Sequence, residues 1–154
     1  IAENNSVGDA GADLIASKLS SLQVLKIGGS ELTKKGVQAL TRLTRLTKLT
    51  FVDASINIEK NNLGDEEAGI LADGMPQLQW LAVSHNNLTK KGAMSIANNL
   101  KQLTALAIGS FIFRKEFNNI GEKGAIAIAD SLHNLTNLWI SKVAVISDDN
   151  AIGD

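Results

Sequence analysis

One pattern of leucines returns five times along this chain, so whatever fold it adopts must place the same unit five times over. Leu78-Gln79-Trp80-Leu81-Ala82-Val83-Ser84-His85-Asn86-Asn87-Leu88 and Leu22-Gln23-Val24-Leu25-Lys26-Ile27-Gly28-Gly29-Ser30-Glu31-Leu32 both read LxxLxLxx(N/S)xL. The frame recurs at Leu46/Leu49/Phe51, Leu103/Leu106/Ile108 and Leu135/Leu138/Ile140. Its alternation of apolar and other residues has the period of a strand. Each frame is followed by a second block, as in Gly11-Ala12-Asp13-Leu14-Ile15-Ala16, Gly36-Val37-Gln38-Ala39-Leu40-Thr41, Gly92-Ala93-Met94-Ser95-Ile96-Ala97 and Gly124-Ala125-Ile126-Ala127-Ile128-Ala129, with Glu67 in the glycine's place in the remaining copy. Aliphatic residues there recur at helical spacing, and small alanines allow a neighbour to pack closely, so the block reads as a short amphipathic helix.

The aliphatic residue that closes each frame stands at Val7, Leu32, Leu63, Leu88, Ile120 and Ile152, giving steps of 25, 31, 25, 32 and 32 residues. Short and long repeats therefore alternate until two long ones follow each other.

These frames resemble the leucine-rich repeat family, and the true helix in each unit is similar to its ribonuclease-inhibitor subtype, with blocks like the Gly-Ala-Leu-Ala variant of some bacterial effectors. The chain departs from that subtype in having no cysteine and in repeats longer than the family's usual 20 to 29 residues. The resemblance implies an α/β solenoid, a horseshoe segment with parallel strands on the concave face and helices on the convex face. Residues 1–154 are then a single domain of about five repeats, and the absence of polar capping repeats predicts a fragment. Uncapped repeats would also permit end-to-end self-association.

If Leu25 and Ile27 face the core, strand geometry turns Val24, Lys26 and Gly28 the other way. The equivalent outward positions are Lys48, Thr50 and Val52; Trp80, Ala82 and Ser84; Ala105, Ala107 and Gly109; and Asn137, Trp139 and Ser141. This set is nearly free of carboxylates and holds both tryptophans, which suits a surface that binds protein. Each indole could equally fold against its own long loop. The long segments around Phe51–Glu59, Gly109–Phe117 and Ser141–Ser147 alternate like strands, and would either stack on one another or form a rim that touches a partner through Phe111, Phe113 and Phe117. The partner-binding set is thus Trp80, Trp139, Lys26, Lys48, Thr50, Ser84, Asn137, Phe111 and Phe113. A second line, Asn5, Ser30, Asn61, Asn86, Asn118 and Asn150, sits two residues before each closing aliphatic, where an amide or hydroxyl can satisfy turn backbone; it reads as structural.

Enzyme chemistry is not visible. His85 and His133 each stand in a turn with no recurring ligand spacing, the glycines form no phosphate-binding loop, and no metal or cofactor is expected. Asp65-Glu66-Glu67 falls at a helix start, where negative charge favours the dipole, and Asp148-Asp149 lies in a terminal loop. Lys34-Lys35 and Lys90-Lys91 occupy equivalent sites and read as solubilising charge, with a small stripe for an acidic partner as the sharper reading. Sequons at Asn4, Asn87 and Asn134 are no more than an asparagine-rich chain contains by chance.

Fifteen basic and 16 acidic residues leave a net charge of -1, which removes the general electrostatic drive toward nucleic acid. No apolar run approaches the length of a membrane span, and no leader is visible at Ile1-Ala2-Glu3. The absence of cysteine fits a reducing cytosol, that of a host if the chain is a secreted effector. The resemblance implies a non-enzymatic module that binds a protein partner, which the tryptophan-bearing face fits, without nucleic acid or membrane insertion. The resemblance also leaves open the substrate-recruiting half of a ubiquitin ligase effector and a sensor array of the innate-immune type.

Overall fold

A computed structural model describes residues 7–51, 63–109 and 118–140. Among these, helices and strands alternate in strict order: α1 (Gly8–Lys18), β1 (Val24–Lys26), α2 (Lys34–Leu40), β2 (Lys48–Thr50), α3 (Asp65–Gly74), β3 (Trp80–Ala82), α4 (Lys90–Asn99), β4 (Ala105–Ala107), α5 (Gly121–Ser131) and β5 (Asn137–Trp139). Residues 1–6 and the long segments 52–62, 110–117 and 141–154, and with them Phe111, Phe113, Phe117, Asn5, Asn61 and Asn150, lie outside the described residues.

The five strands form one parallel sheet in the order β1-β2-β3-β4-β5. Parallel neighbours require a crossover, and α2, α3, α4 and α5 each lie in one, while α1 precedes β1. Register runs without a slip: Leu25 pairs with Leu49, Leu49 with Leu81, Leu81 with Leu106 and Leu106 with Leu138. The outward residues flanking that column also align, as Val24-Lys48-Trp80-Ala105-Asn137 and Lys26-Thr50-Ala82-Ala107-Trp139. Backbone bonding continues past the strands, with the amides of Ile27, Phe51, Val83 and Ile108 donating to the carbonyls of Thr50, Ala82, Ala107 and Trp139. At the strand entry a line of threonines adds side-chain rungs: the hydroxyls of Thr47, Thr104 and Thr136 donate to the carbonyls of Gln23, Gln79 and Thr104 at 3.3, 3.1 and 3.0 Å.

The core lies between the sheet and the helices. Leu49, Leu81 and Leu106 from the strands meet Val37, Leu71, Ile96 and Ile128 from the helices in one buried cluster. Leu46, Leu78 and Leu103 and the closing residues Leu63, Leu88 and Ile120 complete the filling of each unit. Burial of each such leucine contributes about 2 kcal/mol. The sheet ends differ from its middle: Leu25 is half-buried and Leu138 is 44% exposed, and among the described residues β1 and β5 each have a strand on one side only. No described helix is long and apolar enough to cross a membrane.

Adjacent helices stack through small residues and through one recurring polar device. Thr33 caps α2, accepting from the Lys35 amide at 3.3 Å, and Thr89 caps α4, accepting from the Lys91 amide at 3.2 Å. In both helices the third position is glycine, so no side chain of the helix itself can reach back to the capping residue. An aspartate of the preceding helix does so instead. Asp9 accepts from the Thr33 amide at 2.8 Å, the Thr33 hydroxyl at 2.5 Å and the Gly36 amide at 2.9 Å. Asp65 makes the same three bonds to Thr89 and Gly92 at 2.8, 2.5 and 2.9 Å. The glycines are required by this approach, since a Cβ on Gly92 would lie 2.6 Å from the Asp65 Oδ1, and one on Gly36 would collide with Asp9. In α3, whose third residue is Glu67, the cap closes within the helix, and the Glu67 Oε2 accepts from the Gly64 amide at 3.1 Å.

Candidate functional site

The sheet face opposite the helices carries the functional candidates. Strand alternation places Trp80 and Asn137 in one row and Thr50 and Trp139 in the next, with β4 between the two tryptophan-bearing strands. Backbones two strands apart are separated by roughly 10 Å. The indoles nevertheless meet, with ring centroids 5.6 Å apart and planes inclined at 46°. They can lean together because both outward residues of β4, Ala105 and Ala107, are alanine, and a longer side chain at either would fill the space between the rings. Ala105 is correspondingly 2% exposed, whereas Trp139 stays 43% exposed. Such a tilted pair falls in the distance range of favourable aromatic contacts, worth about 1 kcal/mol beyond burial. Neither sequence alternative foresaw this pairing of the tryptophans with each other.

Beside the pair the face becomes basic. Lys48 is the neighbour of Trp80 across the β2–β3 ladder, Lys26 stands on β1 one row over, and both are exposed. Among the described residues neither forms an ion pair; the pairs present are Lys34 with Glu66 and Arg42 with Asp13. Thr50 is half-buried and Asn137 exposed.

Ser84 is a correction. It was expected on the accessible face, but it is 3% exposed. Strand β3 ends at Ala82, and the chain then turns through His85, whose φ is 60°, so the two-residue alternation no longer governs where Ser84 points. Its carbonyl accepts from the Asn86 side-chain amide at 2.8 Å.

The turns beneath this face are built on buried polar side chains. Asn118 is fully buried; its Oδ1 accepts from the Asn86 and Leu88 amides at 2.9 and 3.0 Å, and its Nδ2 donates to the Val83 and Ile108 carbonyls, both at 2.8 Å. One amide thus joins two successive repeats. Asn86 reaches the repeat before it, accepting from the Leu63 amide at 3.4 Å, and the Ser30 hydroxyl donates to the Gly28 carbonyl at 3.3 Å.

The remaining charged clusters are absorbed by the scaffold. Asp65, read from sequence as favouring its own helix dipole, is the cap of the next repeat's helix, a role signalled only by Asp9 and Thr33 recurring 56 residues on as Asp65 and Thr89. Thr33 bonding, with lesser help from the Gly36 amide and Lys35, holds the Asp9 carboxyl below its ordinary value against the opposing effect of partial burial. Of the lysine stripe, Lys34 is engaged by Glu66, which raises its pKa. No group of three or more His, Asp or Glu among the described residues could hold a metal ion.

Two comparisons with known proteins bear on this geometry. Residues 76–97 match the family model described as a leucine-rich repeat, the stretch that contains β3, the Asn86 turn and most of α4. A solved structure titled as the tropomodulin C-terminal domain, from Caenorhabditis elegans structural genomics, is similar in fold, with a TM-score of 0.57 over 88% of this chain and 84% of that one at 14% identity. No curated protein matches. The comparisons thus support a leucine-rich repeat at residues 76–97 and a mixed α/β fold with a parallel five-stranded sheet for the chain.

Proposed function

We propose that this chain is a non-enzymatic protein-binding module: a horseshoe segment of the ribonuclease-inhibitor-like subtype whose concave face is the sheet surface bearing Trp80 and Trp139, with the long-segment rim beside it. The observation that carries this reading is the tryptophan pair. Two indoles held together over an alanine floor, one of them 43% exposed, cost little entropy to present and offer a partner a rigid apolar surface. A stable complex needs roughly 800 Å² from each side, which five strands and their flanking turns can supply. If the pair sits at the centre of the interface, each indole is worth about 2 kcal/mol or more on truncation.

The test is capture of partners from the native host's lysate by the wild-type chain and by a Trp80→Ala/Trp139→Ala variant whose fold is verified by circular dichroism. A protein retained by the wild type and lost by the folded variant supports the reading. Equal retention by both moves the binding surface off the sheet face.

A further inference from the structure

Resting on that reading, we infer that the occupant of the tryptophan-bearing face is an acidic peptide segment of a partner protein, carrying a bulky apolar residue with Asp or Glu to one side of it. The charge pattern of the face selects this chemistry. The outward rows Val24-Lys48-Trp80-Ala105-Asn137 and Lys26-Thr50-Ala82-Ala107-Trp139 hold two lysines and not one carboxylate. Lys26 and Lys48 are both exposed and, among the described residues, form no ion pair, so the only charge these rows present beside the indoles is positive.

The geometry then orders the contacts. Lys48 adjoins Trp80 directly across the ladder, so a carboxylate paired with Lys48 lies next to the indoles, and Lys26 takes a second carboxylate one strand further away. An apolar side chain between the two acids and the far end of the peptide reaches Trp139, the more open ring. A basic segment would meet two uncompensated like charges, and a purely apolar one would leave both ammonium groups desolvated without partners.

The protein carries its own reporter: Trp80 and Trp139 are its two tryptophans and it has no tyrosine, so intrinsic fluorescence reads this face directly. The probe is a random-sequence peptide display library selected against the full chain, with the selected peptides then titrated by tryptophan emission. The expected consensus has acidic residues on one side of a bulky apolar residue, and its binding weakens as salt is raised. Lys26→Glu/Lys48→Glu should weaken that peptide by about tenfold or more, while Trp139→Ala abolishes binding with far-UV circular dichroism unchanged. A neutral or basic consensus, no consensus at all, or tighter binding of single-stranded oligo(dT) than of any selected peptide overturns the inference. If Trp139→Ala removes binding and charge reversal leaves it intact, the acidic preference falls and the binding face stands. If neither variant matters, both fall.

Discussion

The seams between repeats are held in two different ways. Where α1 meets α2 and where α3 meets α4, a half-exposed carboxylate, Asp9 or Asp65, crosses to the next helix and satisfies its capping threonine and third amide. Where α4 meets α5, the helix start at Ile120 has no side-chain cap, and the polar link lies in the turns, where Asn118 ties Asn86 and Leu88 of one repeat to its own strand exit at Ile108. Both devices answer the same demand, that backbone groups removed from water be bonded. They differ in charge and burial, and hence in how they fail.

The largest effect should come from the buried amide. Asn118→Ala strips acceptors and donors from four backbone groups in a site water cannot easily refill, and should destabilise by about 3 kcal/mol or more in urea unfolding. A loss under about 1 kcal/mol would contradict the role given to this rung. Next in size, Asp65→Ala should cost about 2 kcal/mol. Gly92→Ala, which sets a Cβ against the same carboxylate, should cost about as much. Because both break one clamp, the double variant should lose less than the sum of the two, and simple additivity would show that Gly92 serves something else.

Acid separates the two devices. The Asp9 pKa is depressed in the fold, so its contribution is fully present above the unfolded carboxyl value near 3.8 and is lost as pH falls through the lower folded value. The stability gap between wild type and Asp9→Asn should therefore be widest at neutral pH and narrow below about pH 4. The Asn118→Ala gap, resting on a neutral amide, should not follow that titration. Smallest of all, Lys34→Gln should leave the unfolding midpoint unchanged, since the Lys34 and Glu66 side chains are 55% and 65% exposed.

Much of the scaffold was legible along the chain. Leucines at Leu46, Leu49, Leu78, Leu81, Leu103 and Leu106 announce strand and core because a side chain's face is set by a period of two, which needs no knowledge of distant residues. Helix blocks were legible for the corresponding reason at 3.6 residues. The line through Ser30, Asn86 and Asn118 was visible as a fixed offset from each closing aliphatic. Ser84 was misplaced because the same alternation was carried past the end of β3 into a turn, where it has no force.

Contacts between repeats were the illegible part. Asp65 looks complete within its own helix start, and only the stacking of α3 on α4 brings Thr89 and Gly92, 24 and 27 residues later, to its carboxylate. Trp80 and Trp139 are farther apart still, and their meeting depends on strand order, register and two alanines on the strand between them. The unit is written along the chain, in which segments are strand or helix and which side chains turn inward, since hydrophobic periodicity acts locally. The tertiary structure alone decided what each unit does to the next, because a hydrogen bond or a ring contact depends on ångström-scale separations that arise only once the repeats are stacked.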